Sequence, residues 1–343
     1  MKIEIDKKIL ENIKEDIIKY LIRVGFIKNS REERFIRNNL NSVKNLYVEN
    51  LEEKFGTQMV SRKDSIAIDQ KFVIFNSDKT KVLGLKKEYY ELIISQLGHE
   101  LWHNASNSND VHGIIVNNDN KRFLALNEGI TQLLAEDISG FTLSKYSDKT
   151  YRYFKYIAQI LRLSTSNEIL LKSYLYHTDD LKNSCNTLAG DSDFYDQFNE
   201  YLSNLLYLKK IVIRSYKAKK IEKPSDDYDK AFNLIYRNRI VVQYKSLILN
   251  IVIPKLKTLT KEKQKIYIES ILNIFKEDYE IYRIVSEYLM EVISLKDAEI
   301  NKRKQQLNKM NKVKEEQRVM LERFAIDAKT LYEKGFIKVK QDG

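Results

Sequence analysis

Residues 89–104 read YYELIISQLGHELWHN, and the stretch His99-Glu100-Leu101-Trp102-His103 within them decides which core this chain builds. The apolar positions of Tyr89–Leu97 are amphipathic enough to bury this segment as a helix. On a helix, positions i and i+4 lie on one face, one turn apart. His99 and His103 therefore present two imidazoles that can reach one metal ion. Glu100 stands beside the first of them, where a carboxylate can hold a water on the metal. Zinc lowers the pKa of such a water to about 7, so a carboxylate can take its proton at neutral pH. The spacing is what metal-assisted hydrolysis needs, with Leu101 and Trp102 in the two variable positions.

A catalytic zinc takes a third protein ligand and leaves a fourth position open. His112 is one source, but the pattern HExxHxxGxxH requires Gly at 106 and His at 109, where this chain has Ser106 and Asn109. Cys185 is the one cysteine, and its Ser-Cys-Asn-Thr context matches no metal motif. The third source is a Glu on a later helix. Leu126-Asn127-Glu128-Gly129-Ile130-Thr131 supplies Glu128, and Glu136 is the fallback.

HELWH followed by LNEGIT resembles the gluzincin metallopeptidases, over roughly residues 60–140. Thermolysin-like peptidases carry an Asn-Glu-Ala pattern on the helix after the HExxH helix, and aminopeptidase N-like enzymes carry Leu-Asn-Glu-Gly. In both, that Glu is the third zinc ligand, so the resemblance implies a zincin-like catalytic core with one zinc per chain on His99, His103 and Glu128. It also implies a His or Tyr donor beyond the third ligand for the oxyanion of peptide hydrolysis. His177 is the candidate, with Tyr174 and Tyr176 beside it. Two features depart from the pattern. The Gly-x-Met-Glu-Asn exopeptidase motif is absent, and Gln132 stands where thermolysin-like enzymes have an Asp supporting a zinc histidine. Glu136 or Asp137 is then the expected support, since metal-bound histidines donate their other N–H to a carboxylate or carbonyl. An edge strand before the motif helix would bind extended substrate, and Ile66–Phe75 fits it by order and character.

Outward from the motif, Ile9, Leu10, Ile13, Ile17, Ile18, Leu21 and Ile22 have helical spacing, and a second helix is expected over 31–53. Ser65–Asp69 and Phe72–Phe75 are short β-like runs broken at Gln70-Lys71. Residues 104–121 read as a loop, and helix resumes from about Phe123 to Ile138, with Gly140 as its C-terminal turn. After residue 147 the chain reads as helical, with stripes over 151–163, 167–176 and 194–216. Breaks are expected at Pro224-Ser225 and at Pro254 through Thr258-Leu259-Thr260. Residues 295–333 favour a long amphipathic helix with an incomplete stripe at Ile300, Leu307, Met310, Val313 and Leu321.

The expected fold class is mainly α with a small β-sheet: a zincin-like core followed by an all-helical C-terminal region. The expected organisation is an N-terminal helical segment (1–56), the metal-binding core (57–146), helices completing the catalytic domain (147–222) and a C-terminal helical region (223–343).

Composition agrees with this class. The 343 residues are 43% hydrophobic, enough for a sizeable core, and only 10 Gly and 2 Pro punctuate them, which argues against an all-β fold. Abundant Lys, Ile, Asn and Tyr fit a low-GC bacterial genome. A lone cysteine excludes an intrachain disulfide framework. The charge-mixed N-terminus lacks a signal-peptide apolar core, and no run of about 18 apolar residues occurs, so the chain is expected in the cytoplasm without a membrane span.

The net charge of +11 raises acidic partners, nucleic acid included, but 59 basic and 48 acidic residues are mixed along the chain as on solvated helix faces. Lys302, Arg303, Lys304, Lys309, Lys312 and Lys314 lie near Glu315, Glu316 and Arg318, with no RNA-binding aromatic signature or phosphate loop. The expected partner is a peptide or protein substrate. The alternative is an inactive zincin-fold protein that binds or regulates a partner through this basic C-terminus.

Overall fold

A computed structural model describes residues 3–4, 7–51, 59–61, 64–107, 113–114, 125–140, 149–218 and 226–309. The fold is mainly helical with two small sheets. The chain sorts into two compact units drawn from separated stretches. The first comprises Met1–Asn120, Asn127–Lys155 and Asn167–Asp180, and the second comprises Lys121–Leu126, Tyr156–Ser166 and Leu181–Gly343.

The first unit begins with β1 (Ile3–Glu4) and α1 (Lys8–Arg23), whose Leu10, Ile13, Ile17, Ile18 and Leu21 form the buried stripe read in the sequence. Gly25, at φ 71°, ends α1: its amide bonds the Ile22 carbonyl and the Phe26 amide reaches back to Leu21. Helix α2 (Ser30–Leu40) starts at Asn29, whose side chain accepts from the Arg31 and Glu32 amides, while the Glu32 carboxylate accepts from the Lys28 amide.

The expected helix over 31–53 stops at Leu40. Asn45–Glu49 is instead a strand, β2. Its alternating burial of Leu46 and Val48 suits a sheet face, and pairing with a parallel neighbour overrides the helical reading. Strands β3 (Met59–Ser61) and β4 (Ser65–Asp69) complete a sheet of order β1-β2-β4-β3, in which β2 and β4 run parallel and the outer pairs are antiparallel. All five β4 residues are buried. Strand β4 has a partner on each side and offers no edge to a substrate, which corrects the edge expectation for the Ile66–Asp69 part of Ile66–Phe75. A separate hairpin follows, β5 (Val73–Phe75) against β6 (Val82–Leu85).

Helix α3 (Tyr90–Ala105) carries the HELWH motif and is buried over most of its circumference. Trp102 is fully buried and meets Tyr20 edge to face at 6.0 Å, and the Tyr20 hydroxyl donates to Asp137 at 2.8 Å. Helix α4 (Ala125–Ser139) carries LNEGIT and ends at Gly140, which adopts φ 68° and bonds the Glu136 carbonyl. A Cβ at Gly98 would lie 3.2 Å from the Ile138 side chain, so a hydrogen at this position is what lets α3 and α4 approach. Helices α5 (Lys149–Ser164), α6 (Asn167–Leu175) and α7 (Asp180–Ala189) follow, and α5 passes from the first unit into the second.

The second unit holds most of α7, α8 (Phe194–Ala218), α9 (Asp226–Leu247), α10 (Ile253–Lys257), α11 (Lys261–Asn273), α12 (Tyr279–Ile293) and helical residues 297–309. Phe275 anchors its core between Tyr156 at 5.2 Å and Tyr244 at 5.1 Å, both edge-on. The break expected over Pro254 to Thr260 falls at Thr258–Thr260, and Pro254 itself stays within helix. The preceding turn, Ile248–Val252, is π-helical, and the run continues to Lys257 before turning at Thr258–Thr260. A widened turn dispenses with the amide that proline lacks. Arg303 pairs with Glu291 and lies over the Tyr288 ring, and Lys304 donates to the Ala189 carbonyl, so part of the basic cluster is engaged within this unit. Residues 310–343, with Lys312, Lys314, Glu315, Glu316 and Arg318, lie outside the described residues, as do Pro224-Ser225. No described helix is long and apolar enough to cross a membrane.

Gly129 faces the Phe154 backbone so closely that a Cβ would collide with its carbonyl. Gly129→Ala should therefore force α4 and α5 apart and cost about 1–3 kcal/mol of stability, as over-packing does. Chemical denaturation of the variant against wild type measures this.

Candidate metal centre

Helix α3 places His99 and His103 one turn apart on the face turned to α4, and α4 presents Glu128 in its first turn. The three side chains converge. His99 Nε2 lies 3.2 Å from Glu128 Oε2 and 3.2 Å from His103 Nε2, and His103 Nε2 lies 3.7 Å from Glu128 Oε2. A tetrahedral site with bonds of about 2.0–2.1 Å spaces its donor atoms about 3.3–3.4 Å apart. The observed edges of 3.2, 3.2 and 3.7 Å average close to that spacing, with the His103–Glu128 edge the longest. His99 and Glu128 are buried and His103 is half-buried. This group can hold a metal ion.

Proton counting reaches the same point. A hydrogen on His99 Nε2 can serve either Glu128 or His103, not both. When both rings carry their proton on Nδ1, two Nε2 lone pairs and the carboxylate oxygen meet at the triangle's centre, an arrangement a cation relieves. Burial pushes the Glu128 carboxyl up, but the neighbouring His103 and His99 outweigh it and hold the group well below the usual carboxylate range.

Glu100 is half-buried on α3 beside His99, and its charge reaches the Tyr174 phenol, which burial already pushes up. The Tyr151 ring stacks on His99 at 5.7 Å and 20°. His99 Nδ1 is buried with no hydrogen-bond partner among the described residues.

The supports expected from the sequence lie elsewhere. Glu136 accepts from Lys155 at 2.8 Å and from Gln132 at 3.0 Å, and Asp137 accepts from Tyr20. Neither Glu136 nor Asp137 belongs to the donor group. Lys155 is itself buried, so it draws the Glu136 carboxylate away into a buried ion pair. The residue the sequence reading missed is Thr131, whose hydroxyl lies 3.5 Å from His103 Nδ1. Its position three residues after Glu128, on the same helix face, was the available signal.

His177 adopts φ 56°, unusual for a residue with a side chain, and its Nδ1 hydrogen-bonds the Gly113 carbonyl. Its Nε2 is buried with no partner among the described residues. Gly113 (φ 71°) donates its amide to Ser106 Oγ at 2.9 Å, Ser106 Oγ donates to the His103 carbonyl at 3.0 Å, and a Cβ on Gly113 would collide with the Asn127 side chain. His177 is thus tied through Gly113 to the end of α3. Tyr174 is fully buried, and Tyr176 stacks on Phe26 at 5.3 Å. The Cys185 thiol is pushed up to about 12 by burial and stays protonated, which suits packing rather than ligation. His112 lies outside the described residues.

Glu136→Gln should leave the metal stoichiometry at its wild-type value while lowering stability, because it leaves Lys155 buried beside a neutral amide. Metal analysis and thermal melting of the same sample test this, and loss of metal would return Glu136 to the donor set.

Comparison of the chain with family models, with curated proteins and with solved structures gives no match.

Proposed function

We propose that this chain is a zinc-dependent metallopeptidase of the gluzincin type, with one zinc held by His99, His103 and Glu128. The observation that carries the reading is the donor triangle, with edges of 3.2, 3.2 and 3.7 Å, formed beside a carboxylate that follows the first histidine. Octahedral donors at about 2.0–2.1 Å would lie only about 2.9 Å apart, which favours tetrahedral zinc. Two histidines and one carboxylate also serve iron in oxygenases, and Glu100 is what favours hydrolysis here.

Zinc bound at this site supplies a Lewis acid that polarises water and the scissile carbonyl. Glu100 takes the water proton and delivers it to the leaving amine. His177 is the proposed donor to the oxyanion. Because its Nδ1 serves the Gly113 carbonyl, Nε2 can donate only when the ring carries both protons. Tyr174 is a weaker candidate for that role, being fully buried and hydrogen-bonded to Thr131 at 2.6 Å.

The substrate is a peptide or protein. The proposed strand for its extended backbone is β3, which among the described residues has a neighbour on one side only and packs by α3. The rival reading, an inactive zincin-fold protein acting through its basic C-terminus, gains no support from Arg303 and Lys304, which are engaged inside their own unit.

The test is digestion of a proteome-derived peptide library by zinc-loaded wild type and Glu100→Gln, read by mass spectrometry. Wild type should generate new termini, and Glu100→Gln should lose at least about 10²-fold in rate while keeping its zinc. A Glu100→Gln variant as active as wild type would contradict the assignment.

A further inference from the structure

We infer that Thr131, held in place by Tyr174, is the positioning residue that fixes the tautomer of His103. The inference rests on the metal-centre reading above and adds to it the group that aims one of the ligands.

The Thr131 hydroxyl donates to the Asn127 carbonyl at 2.8 Å, one turn back on α4. A threonine hydroxyl has one proton, so its oxygen is left as an acceptor only. The Tyr174 oxygen lies 2.6 Å away, and with the Thr131 proton on Asn127 the Tyr174 hydroxyl is the donor of this pair, Ser106 being its other neighbour. His103 Nδ1 lies 3.5 Å from the same oxygen, and it too can interact only as an N–H donor. A proton on Nδ1 leaves the Nε2 lone pair free, and Nε2 is the atom that faces His99 and Glu128. The chain of donors thus runs from Tyr174 and His103 into Thr131, and from Thr131 into the backbone of α4.

Burial gives this arrangement its force. Thr131 and Tyr174 are both fully buried, so no solvent competes for the Thr131 oxygen. The Thr131–His103 distance is at the long limit for a hydrogen bond, and such contacts shorten when the imidazole is drawn to a ligand. The same residue serves both ligand-bearing helices: Thr131 shares its face of α4 with Glu128 and touches the imidazole carried by α3.

The experiment is zinc affinity by competition with a chromophoric chelator, on full-length wild type, Thr131→Val, Thr131→Ser and Tyr174→Phe. Long-range 15N–1H correlation of the histidine rings on the same metal-free samples reads the tautomer. Thr131→Val keeps the shape and removes the acceptor. It should bind zinc about 10- to 100-fold more weakly and lose the Nδ1–H preference of His103. Thr131→Ser should restore both. Tyr174→Phe, which leaves Thr131 intact, should show a smaller loss. Wild-type affinity and an unchanged His103 tautomer in Thr131→Val would overturn the inference while leaving the metal centre standing. If wild type itself binds no zinc, the metal-centre reading falls and this inference falls with it.

Discussion

Everything at the site depends on how closely α3 and α4 approach. Glu128 meets His99 and His103 where the two helices pack with a hydrogen, rather than a side chain, at Gly98 against Ile138. Gly129 plays the same part on the other side of α4, where the Phe154 backbone lies against it. The two glycines are buried spacers in helices, where glycine otherwise costs about 1 kcal/mol relative to alanine. That cost is offset by bringing three donor atoms from two helices into one triangle.

The triangle is an expensive thing to bury. A carboxylate and two imidazoles leave water, and an isolated buried charge would cost several kcal/mol. The surroundings answer with specific partners rather than with bulk polarity. Glu128 is held ionised by the histidines, His103 leans on Thr131, and Ser106, Gly113 and His177 tie the end of α3 to the turn after α6. The neighbouring carboxylates are removed from competition: Glu136 is bound to Lys155 and Asp137 to Tyr20. A helix carrying three acidic groups thereby delivers one to the centre.

The HELWH helix and the Glu128 helix were legible because both rest on local spacing that survives folding. The helical stripes of α1 and α5, and the β-like run at Ser65–Asp69, were legible for the same reason. What failed depended on distant partners. Asn45–Glu49 becomes a strand because Ser65–Asp69 lies beside it, and that neighbour also makes β4 internal rather than an edge. The break expected over Pro254 to Thr260 is displaced to its far end, because a π-turn lets Pro254 stay within the helical run. At the site, Glu136 and Asp137 looked like supports because they are acidic, but their partners Lys155 and Tyr20 lie 19 and 117 positions away in sequence. Thr131 escaped notice because a neutral hydroxyl carries no charge signal, although its register with Glu128 was on view.

The measurement that bears most directly on this account is the metal content, by inductively coupled plasma mass spectrometry, of wild type, His103→Ala and Glu128→Ala purified without added metal. About one zinc per wild-type chain, and much less in both variants, is the predicted result. Wild type without zinc even after reconstitution, or a Glu128→Ala variant that keeps a full complement, would contradict the three-ligand centre on which the rest of the account stands.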